Sequence, residues 1–191
     1  MPKLYFKYGA MGCSKSAQAL MCKYNYEQKG FRVLLMKPSL DTRDNEIEKS
    51  YVASRIGLKS ECLVFSQNDD LHAYILNLHK EAQIDVVIID EAQFCTARQI
   101  TDLKDLTEFF PVLCYGLKTN FKTFLFEGSK RLIELADSLS EIKSVCKCGR
   151  KATVNARLHN KKVITEGGEI LIGGDESYES MCYECWKKEQ K

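Results

Sequence analysis

The segment Leu4–Asn25, LYFKYGAMGCSKSAQALMCKYN, combines three local signals. It begins with a short apolar and aromatic run, Leu4–Tyr8, that predicts a β-strand. The stretch Lys15–Lys29 has no Gly or Pro and many good helix formers, which predicts a helix that ends at Gly30. Between the two, GAMGCSKS matches three of the four fixed positions of the phosphate-loop pattern G-x-x-x-x-G-K-[ST]. The segment therefore predicts a strand, a phosphate-binding loop and a helix in succession.

The position of this loop, between a strand and a helix N-terminus, is the one that a phosphate site requires. It directs backbone N–H groups and the positive end of the helix dipole toward phosphate oxygens. Lys15 would then reach the β- and γ-phosphates, and the hydroxyl of Ser16 would bind Mg²⁺. The residues assigned to ATP binding in this phosphate loop are Gly9, Ala10, Met11, Gly12, Cys13, Ser14, Lys15 and Ser16.

Ser14 departs from the pattern, because it stands where the pattern has glycine. A glycine there would allow either a positive φ or a close approach of the backbone to phosphate. If the position requires a positive φ, serine is strained by roughly 1–2 kcal/mol. If it requires only closeness, a small side chain fits with minor adjustment. The sequence leaves both alternatives open, and we expect an active loop that accommodates Ser14.

The segments that follow alternate between strand and helix patterns. Predicted strands are Arg32–Pro38, Cys62–Phe65, Asp85–Asp90, Pro111–Gly116 and Ile142–Val145, and predicted helices cover 68–80, 97–109 and 129–139. This alternation predicts an α/β fold with a parallel sheet flanked by helices. The stretch 42–60 has mixed charge and weak periodicity, so we expect a long loop there. The composition changes at Cys146, which predicts a domain boundary there. The domain over 1–145 carries the phosphate loop and is the expected ATP-binding domain, and 146–191 is a small second domain.

The run VVIIDE, Val86–Glu91, supplies the acidic residue that a phosphate loop needs for its metal ion. Its apolar β-branched part is typical of a strand covered on both faces. Asp90 is the candidate Mg²⁺ partner, at the end of a strand that we expect to neighbour the first one. Glu91 is a second carboxylate beside Asp90, available for a role other than metal binding. The alternative is that both acids merely end a strand at the solvent edge, but the phosphate loop in the same chain favours the functional interpretation.

Nine cysteines in 191 residues is a high number. An odd number without a secretion signal argues against a disulfide framework. Four of them form two close pairs, which are Cys146 with Cys148 and Cys182 with Cys185. Four thiolates can complete the tetrahedral shell of Zn²⁺ and leave no position open for substrate. We therefore predict a structural zinc site, in which Gly149 permits a tight turn beside the first pair.

The composition disfavours several other classes of protein. Net charge is +2, and the segment 146–191 carries nine Lys or Arg and seven Asp or Glu without a basic stripe. We therefore expect no nucleic-acid partner, which speaks against a zinc-ribbon nucleic-acid binder. No apolar run approaches the length of a membrane span, and the N-terminus lacks a secretory signal pattern. These features predict a cytoplasmic protein with no membrane partner.

The chain closely resembles the type II, zinc-containing thymidine kinases over essentially its whole length. The matching stretches are YGAMGCSKS (8–16), LDTR (40–43), SRIGL (54–58), VVIIDEAQF (86–94), PVLCYGLKTNF (111–121), LFEGS (125–129), CKCGRKAT (146–153) and IGGDESY (172–178). The resemblance implies transfer of the γ-phosphoryl group of ATP to the 5′-hydroxyl of thymidine. It also implies a homotetramer that thymidine triphosphate inhibits, and a zinc segment that closes over the nucleoside like a lasso. The glycine of the family before Lys15 is absent here.

The resemblance also implies roles for individual residues. Glu91 matches the general base of the family, and one carboxylate near the hydroxyl suffices as a proton acceptor. Arg43, Asp90 and Gln93 match positions around ATP and Mg²⁺. The positions that match the nucleoside site are Met11, Phe94, Leu117, Phe121, Asn155, Leu171, Ile172, Gly173, Gly174 and Tyr178. Ordinary core packing is the alternative for the nucleoside positions, and a surface ion pair is the alternative for Arg43.

The main alternative function is a phosphate-loop ATPase that uses hydrolysis to switch conformation and phosphorylates no nucleoside. In that case a water-positioning residue would perform the task given to Glu91. Dependence of ATP consumption on the nucleoside separates the two functions.

Overall fold

The computed structural model describes residues 1–41, 49–160, 162–168 and 178–190. Its main layer is a sheet of seven strands, β1 to β7, which are Leu4–Tyr8, Val33–Pro38, Ser50–Ala53, Lys59–Phe65, Val86–Ile89, Val112–Gly116 and Ser138–Glu141. The strands are ordered β3-β4-β2-β5-β6-β1-β7. Every neighbouring pair is parallel except β3 with β4. The predicted parallel α/β fold is therefore confirmed.

Helices cover both faces of this sheet. Four α-helices follow strands of the sheet in the sequence: α1 (Lys15–Glu27), α2 (Leu71–Glu81), α3 (Ala97–Asp105) and α4 (Glu127–Leu135). One apolar cluster joins Met36 and Ile89 to residues of α2, α3 and α4. The other joins Leu35 and Ile88 to residues of α1. Strands β5 and β6 are buried throughout, which explains their continuous apolar sequence. No helix in the described ranges is long and apolar enough to cross a membrane.

The predicted loop over 42–60 was wrong for its second half. Strands β3 and β4 form an antiparallel hairpin there, with Ser50 opposite Cys62. The first part of β4, Lys59–Glu61, is polar and has no apolar run, so the sequence predicted this strand only over Cys62–Phe65. Residues 42–48, in the first half of the predicted loop, lie outside the described residues.

The predicted helix over 129–139 was also wrong at its end. Helix α4 stops at Leu135, and the backbone of Ala136 is extended. Strand β7 follows at once and pairs with β1 as the edge strand of the sheet. The strand expected at Ile142–Val145 is reduced to Ser144–Val145, which belongs to a different sheet. The exposed sequence SLSE of β7 has the polarity of an edge strand and resembles a helix end in sequence.

The C-terminal part contains two small antiparallel sheets and a short helix. Strands β8 (Ser144–Val145) and β9 (Lys151–Ala152) form one, and β10 (Val154–His159), β11 (Lys162–Ile164) and β12 (Tyr178–Met181) form the other; α5 covers Tyr183–Lys188. Strand β10 is the central strand of the larger sheet. An apolar cluster around Met181 and Trp186 fills this region and includes Ala10 of the phosphate loop. The phosphate loop therefore packs directly on the C-terminal part.

Candidate active site

The phosphate loop lies at the carboxyl edge of the main sheet, directly after β1. Its first glycine, Gly9, is needed because there is no space for a side chain. A Cβ there would lie 2.4 Å from the carbonyl oxygen of Ile142 and 2.5 Å from Sγ of Cys13. Gly12 is needed for a different reason, because its φ is +73°. Both glycines fix the course of the loop, so the backbone rather than the side chains defines its shape.

Ser14 adopts φ 66° and ψ 30°, which is the left-handed region. Of the two alternatives left open by the sequence, the structure therefore supports the requirement for a positive φ. The expected strain is about 1–2 kcal/mol for a residue with a Cβ. The carbonyl of Ser14 accepts a hydrogen bond from Gln18 N at 3.0 Å, the first of helix α1. Helix α1 therefore begins directly after Ser14, although the backbone of Ser14 is strained.

Lys15 holds a positive charge inside the phosphate loop. Its side chain is buried, with 8% of its surface exposed. Its Nζ donates to the carbonyl oxygens of Ala10 at 2.9 Å and Gly9 at 3.4 Å. These carbonyls compensate for the loss of water around the ammonium group. A phosphate bound in the loop would find this charge already in position.

Asp90 and Glu91 follow β5 at the same edge of the sheet. The expectation that β5 neighbours β1 was wrong, because β6 lies between them. Asp90 nevertheless interacts with the phosphate loop: a hydrogen bond from Ser16 and the charge of Lys15 both lower its pKa. Burial and the charge of Glu91 outweigh them and raise the pKa of Asp90 to about 7. Ser16 and Asp90, predicted to share a metal ion, are thus brought together.

A divalent cation fits this pair chemically. Asp90 is 4% exposed, and its Oδ1 is buried without a hydrogen-bond partner among the described residues. An orphaned carboxylate oxygen beside the Ser16 hydroxyl offers the hard oxygen ligands that Mg²⁺ prefers. A cation there would also offset the repulsion between the two neighbouring carboxylates.

A chain of hydrogen bonds holds the buried carboxylate of Glu91. Gln93 Nε2 donates to Glu91 Oε2 at 2.5 Å, and Gln93 Oε1 accepts from Leu117 N at 2.9 Å. Ser129 Oγ in turn donates to the carbonyl of Leu117 at 2.5 Å. The backbone of Glu91 is itself left-handed, with φ 52°. Gln93 was expected around ATP and Mg²⁺, and in the structure its side chain contacts Glu91 and Leu117.

The residues expected around a nucleoside form two groups. In the first, Asn155 links the phosphate loop to the β6–α4 connection: its Oδ1 accepts from Met11 N at 2.7 Å, and its Nδ2 donates to the carbonyl of Thr119 at 2.9 Å. The second group joins Phe121 and Tyr178 around an arginine, Arg157. Phe94 instead packs edge-on against Phe126, with ring centroids 5.8 Å apart. Arg43, Leu171, Ile172, Gly173 and Gly174 lie outside the described residues.

The sequence pattern did not single out Arg157 or Ser129. Arg157 lies in VNARLH, where apolar and polar residues alternate as in a half-buried strand. Arg157 shares a face with Asn155 and His159, so this alternation predicts an exposed arginine and gives no signal of its burial. Ser129 has no sequence signal either.

The four paired cysteines come together in the C-terminal part. Their sulfur atoms all lie within 4.8 Å of one another, and the Sγ atoms of Cys148 and Cys182 are 3.6 Å apart. Four sulfurs at about 2.3 Å from a tetrahedral Zn²⁺ would be roughly 3.8 Å apart. The predicted turn is present, since Gly149 has φ 84° and donates to the carbonyl of Cys146. This cysteine cluster can therefore hold a metal ion.

The electrostatics of the cluster favour a thiolate at one position. A hydrogen bond from the backbone of Arg150 lowers the pKa of Cys148 to about 6. Since the thiolate is the form that binds metals, Cys148 is prepared for ligation. All four cysteines are protein ligands in such a site, which makes it structural rather than catalytic.

Comparison with known proteins agrees with this geometry. A phosphate loop and buried acids at the carboxyl edge of a parallel sheet define a nucleotide-binding α/β protein. The family model described as thymidine kinase matches residues 2–186, so the chain belongs to the thymidine kinase family.

Curated relatives are similar over nearly their whole length. The thymidine kinase of Shewanella oneidensis is 44% identical over 185 residues, which is 95% of each chain. That of Agrobacterium fabrum is 42% identical over 189 residues, covering 97% of this chain and 96% of the relative. That of Legionella pneumophila strain Lens is 43% identical over 186 residues, covering 95% and 88%.

Proposed function

We propose that this protein transfers the γ-phosphoryl group of ATP to the 5′-hydroxyl of thymidine, giving thymidine monophosphate. The observation that carries the proposal is the carboxylate of Glu91, held by Gln93 and adjacent to an Asp90 that interacts with Ser16. In a chain of the thymidine kinase family, such a carboxylate beside a phosphate loop is suited to accept the proton of the attacking hydroxyl.

The residues divide the work as phosphoryl transfer requires. Lys15 and the loop N–H groups would bind the β- and γ-phosphates. Ser16 and Asp90 would hold Mg²⁺, which when bound offsets the charge of the phosphates. The hydrogen bond from Gln93 would orient the carboxylate of Glu91 for this task. Since phosphoryl transfer depends mainly on positioning and charge stabilisation, this arrangement is sufficient for the chemistry.

Several further features belong to the same proposal. The cysteine cluster would hold Zn²⁺, and residues 146–191 would form a unit that closes over thymidine, distinct from the ATP-binding unit of 1–145. The apolar cluster around Trp186, which consists of C-terminal residues except for Ala10, supports such a unit. We also propose a homotetramer and inhibition by thymidine triphosphate, for which the resemblance to type II thymidine kinases is the support. A reducing compartment such as the cytoplasm suits thiolates that bind metal.

The test is ATP turnover by the purified protein with and without thymidine, in Mg²⁺, for the wild type and Glu91→Gln. We expect thymidine-dependent turnover in the wild type and a decrease of roughly 10²- to 10⁴-fold in the variant, because the proton acceptor is lost. Binding of ATP should be retained in Glu91→Gln. Glu81→Gln, at the exposed end of α2, is the matched control and should behave as the wild type.

Two results would contradict the proposal. ATP consumption that is independent of thymidine would favour the ATPase switch. Absence of turnover in a folded protein with its metal bound would exclude the kinase activity itself.

A further inference from the structure

Arg157 is a buried cation at the point where the nucleoside residues meet. It lies on β10, the central strand of the C-terminal sheet, and only 4% of its surface is exposed. In the antiparallel register it stands directly opposite Tyr178 on β12. Cross-strand partners of this kind are close enough for their side chains to interact directly.

The guanidinium group of Arg157 makes contacts with three separate parts of the chain. Its Nε and Nη2 donate to the hydroxyl of Tyr178 at 2.8 and 2.5 Å. Its Nη1 donates to the carbonyl oxygen of Gly168 at 2.8 Å. Its Cζ lies 3.7 Å from the ring centroid of Phe121, so the guanidinium stacks on that ring. Phe121 comes from the β6–α4 connection, whereas Tyr178 and Gly168 belong to the C-terminal part.

Only arginine can make these contacts together. Its planar fork carries five donors, and its flat face stacks on aromatic rings. A lysine ammonium could reach one acceptor but could not donate to two acceptors at opposite edges while covering a ring. Burial of a cation is costly unless its hydrogen bonds are satisfied, so a buried arginine also resists rearrangement of its neighbours.

We propose that Arg157 is a positioning residue for the nucleoside: it fixes the ring of Tyr178 relative to that of Phe121 and thereby sets the affinity for thymidine. It acts through these two side chains and touches none of the reacting atoms. This inference rests on the proposed function, since it assumes that Tyr178 and Phe121 line the thymidine site.

The first experiment compares steady-state kinetics of the wild type, Arg157→Lys and Tyr178→Phe with thymidine and ATP varied separately. In Arg157→Lys we expect the KM for thymidine to rise roughly ten- to hundredfold, while kcat and the KM for ATP change by less than about threefold. Tyr178→Phe keeps the ring and removes the acceptor, so it should raise the same KM. Arg98→Lys, an exposed arginine on α3, is the matched control and should change nothing.

The double variant Arg157→Lys/Tyr178→Phe tests whether Arg157 acts through Tyr178. If it does, the double variant should be no worse than Arg157→Lys alone, because both changes remove the same hydrogen bonds. Effects that multiply would overturn the inference and indicate independent roles. Unchanged KM for thymidine in Tyr178→Phe would also overturn it, even if Arg157→Lys did not fold.

The experiments distinguish refutation of the proposed function from refutation of the inference about Arg157. A wild type that neither binds thymidine in calorimetry nor phosphorylates it would remove both proposals. A normal wild type together with a selective loss of kcat in Arg157→Lys would overturn only the inference.

Discussion

The two sides of the proposed active site, which we name the phosphate side and the nucleoside side, are stabilised in different ways. On the phosphate side, the functional groups lie in two short stretches, Gly9–Ser16 and Asp90–Gln93, at one edge of the main sheet. Backbone conformation fixes them, including left-handed φ at Ser14 and Glu91. On the nucleoside side, residues from distant parts of the chain meet through side chains, as Phe121 and Tyr178 do around Arg157.

Because the two sides are stabilised differently, substitutions in them should have different effects. The phosphate side belongs to a large parallel core, so a change there should affect binding or turnover and leave the fold intact. The C-terminal sheets have a small apolar core, and we propose that a metal ion in the cysteine cluster supports them. A change there should affect folding and the affinity for nucleoside.

Loss of one cysteine ligand should have the largest effect. In Cys182→Ser we expect loss of bound Zn²⁺ and of thymidine-dependent turnover, because structural zinc sites contribute on the order of 10 kcal/mol to folding. Serine can still accept the N-cap hydrogen bond that Cys182 accepts from Cys185 N, so the effect should come from loss of the metal and not from loss of the cap of α5. Metal content by mass spectrometry and amide exchange of the C-terminal segment would measure this.

Cys22→Ser is the matched control, because Cys22 lies on α1 outside the cluster. It should retain full metal content. If Cys182→Ser kept its metal and its activity, the nucleoside side would not depend on the cysteine cluster for its stability.

The same difference explains what the sequence could predict. The phosphate loop and VVIIDE are contiguous motifs next to regular elements, so their place at the sheet edge followed from local patterns. That β6 separates β1 from β5 did not follow, because strand order depends on pairing between distant segments. The first two residues of β7, Ser138 and Leu139, were assigned to a helix because this edge strand is largely exposed and has no apolar run of its own.

The cysteine cluster was predictable because metal ligation imposes a strict spacing on a rare residue type. Arg157 was not, although its neighbours Phe121 and Tyr178 were named from the family resemblance. Its contacts depend on the register of β10 with β12 and on Phe121, which lies 36 residues earlier in the chain, and neither is visible in a local pattern.

The pH dependence of metal binding gives an effect of intermediate size on the phosphate side. Burial and the neighbouring Glu91 raise the pKa of Asp90 to about 7, so below that pH the carboxyl retains its proton and binds Mg²⁺ poorly. We expect the affinity for Mg²⁺ with ATP to rise by up to about tenfold between pH 6 and pH 8. Calorimetry in buffers of different ionisation enthalpy would also detect the released proton.

The stability of the metal-free protein should change in the opposite direction. The unfolded chain loses the proton of this carboxyl near its ordinary pKa of 3.8, whereas the folded protein keeps it until about pH 7. The contribution of Asp90 to the free energy of unfolding therefore falls as pH rises through this window. Asp90→Asn should remove both dependences, and Asp105→Asn, at the exposed end of α3, should remove neither.

The smallest effect concerns Ser14, where the strain is local. Because the loop already adopts the left-handed conformation with serine, Ser14→Gly should relieve strain without moving the backbone. We expect a gain of about 1 kcal/mol at most, since glycine loses more conformational entropy on folding, and a Tm increase of about 2–4 °C. Turnover should change by less than about tenfold, a shift of 1.4 kcal/mol in the barrier.

Asn160→Gly is the control for relief of positive φ away from the phosphate loop, at the turn after β10. Asparagine tolerates this conformation well, so its Tm should change less than that of Ser14→Gly. A thousandfold increase in turnover for Ser14→Gly would mean that the natural loop is impaired and that backbone conformation alone does not fix the phosphate side. A small change would mean that the loop works with serine, because a strained residue that keeps its N–H in place still presents it to phosphate.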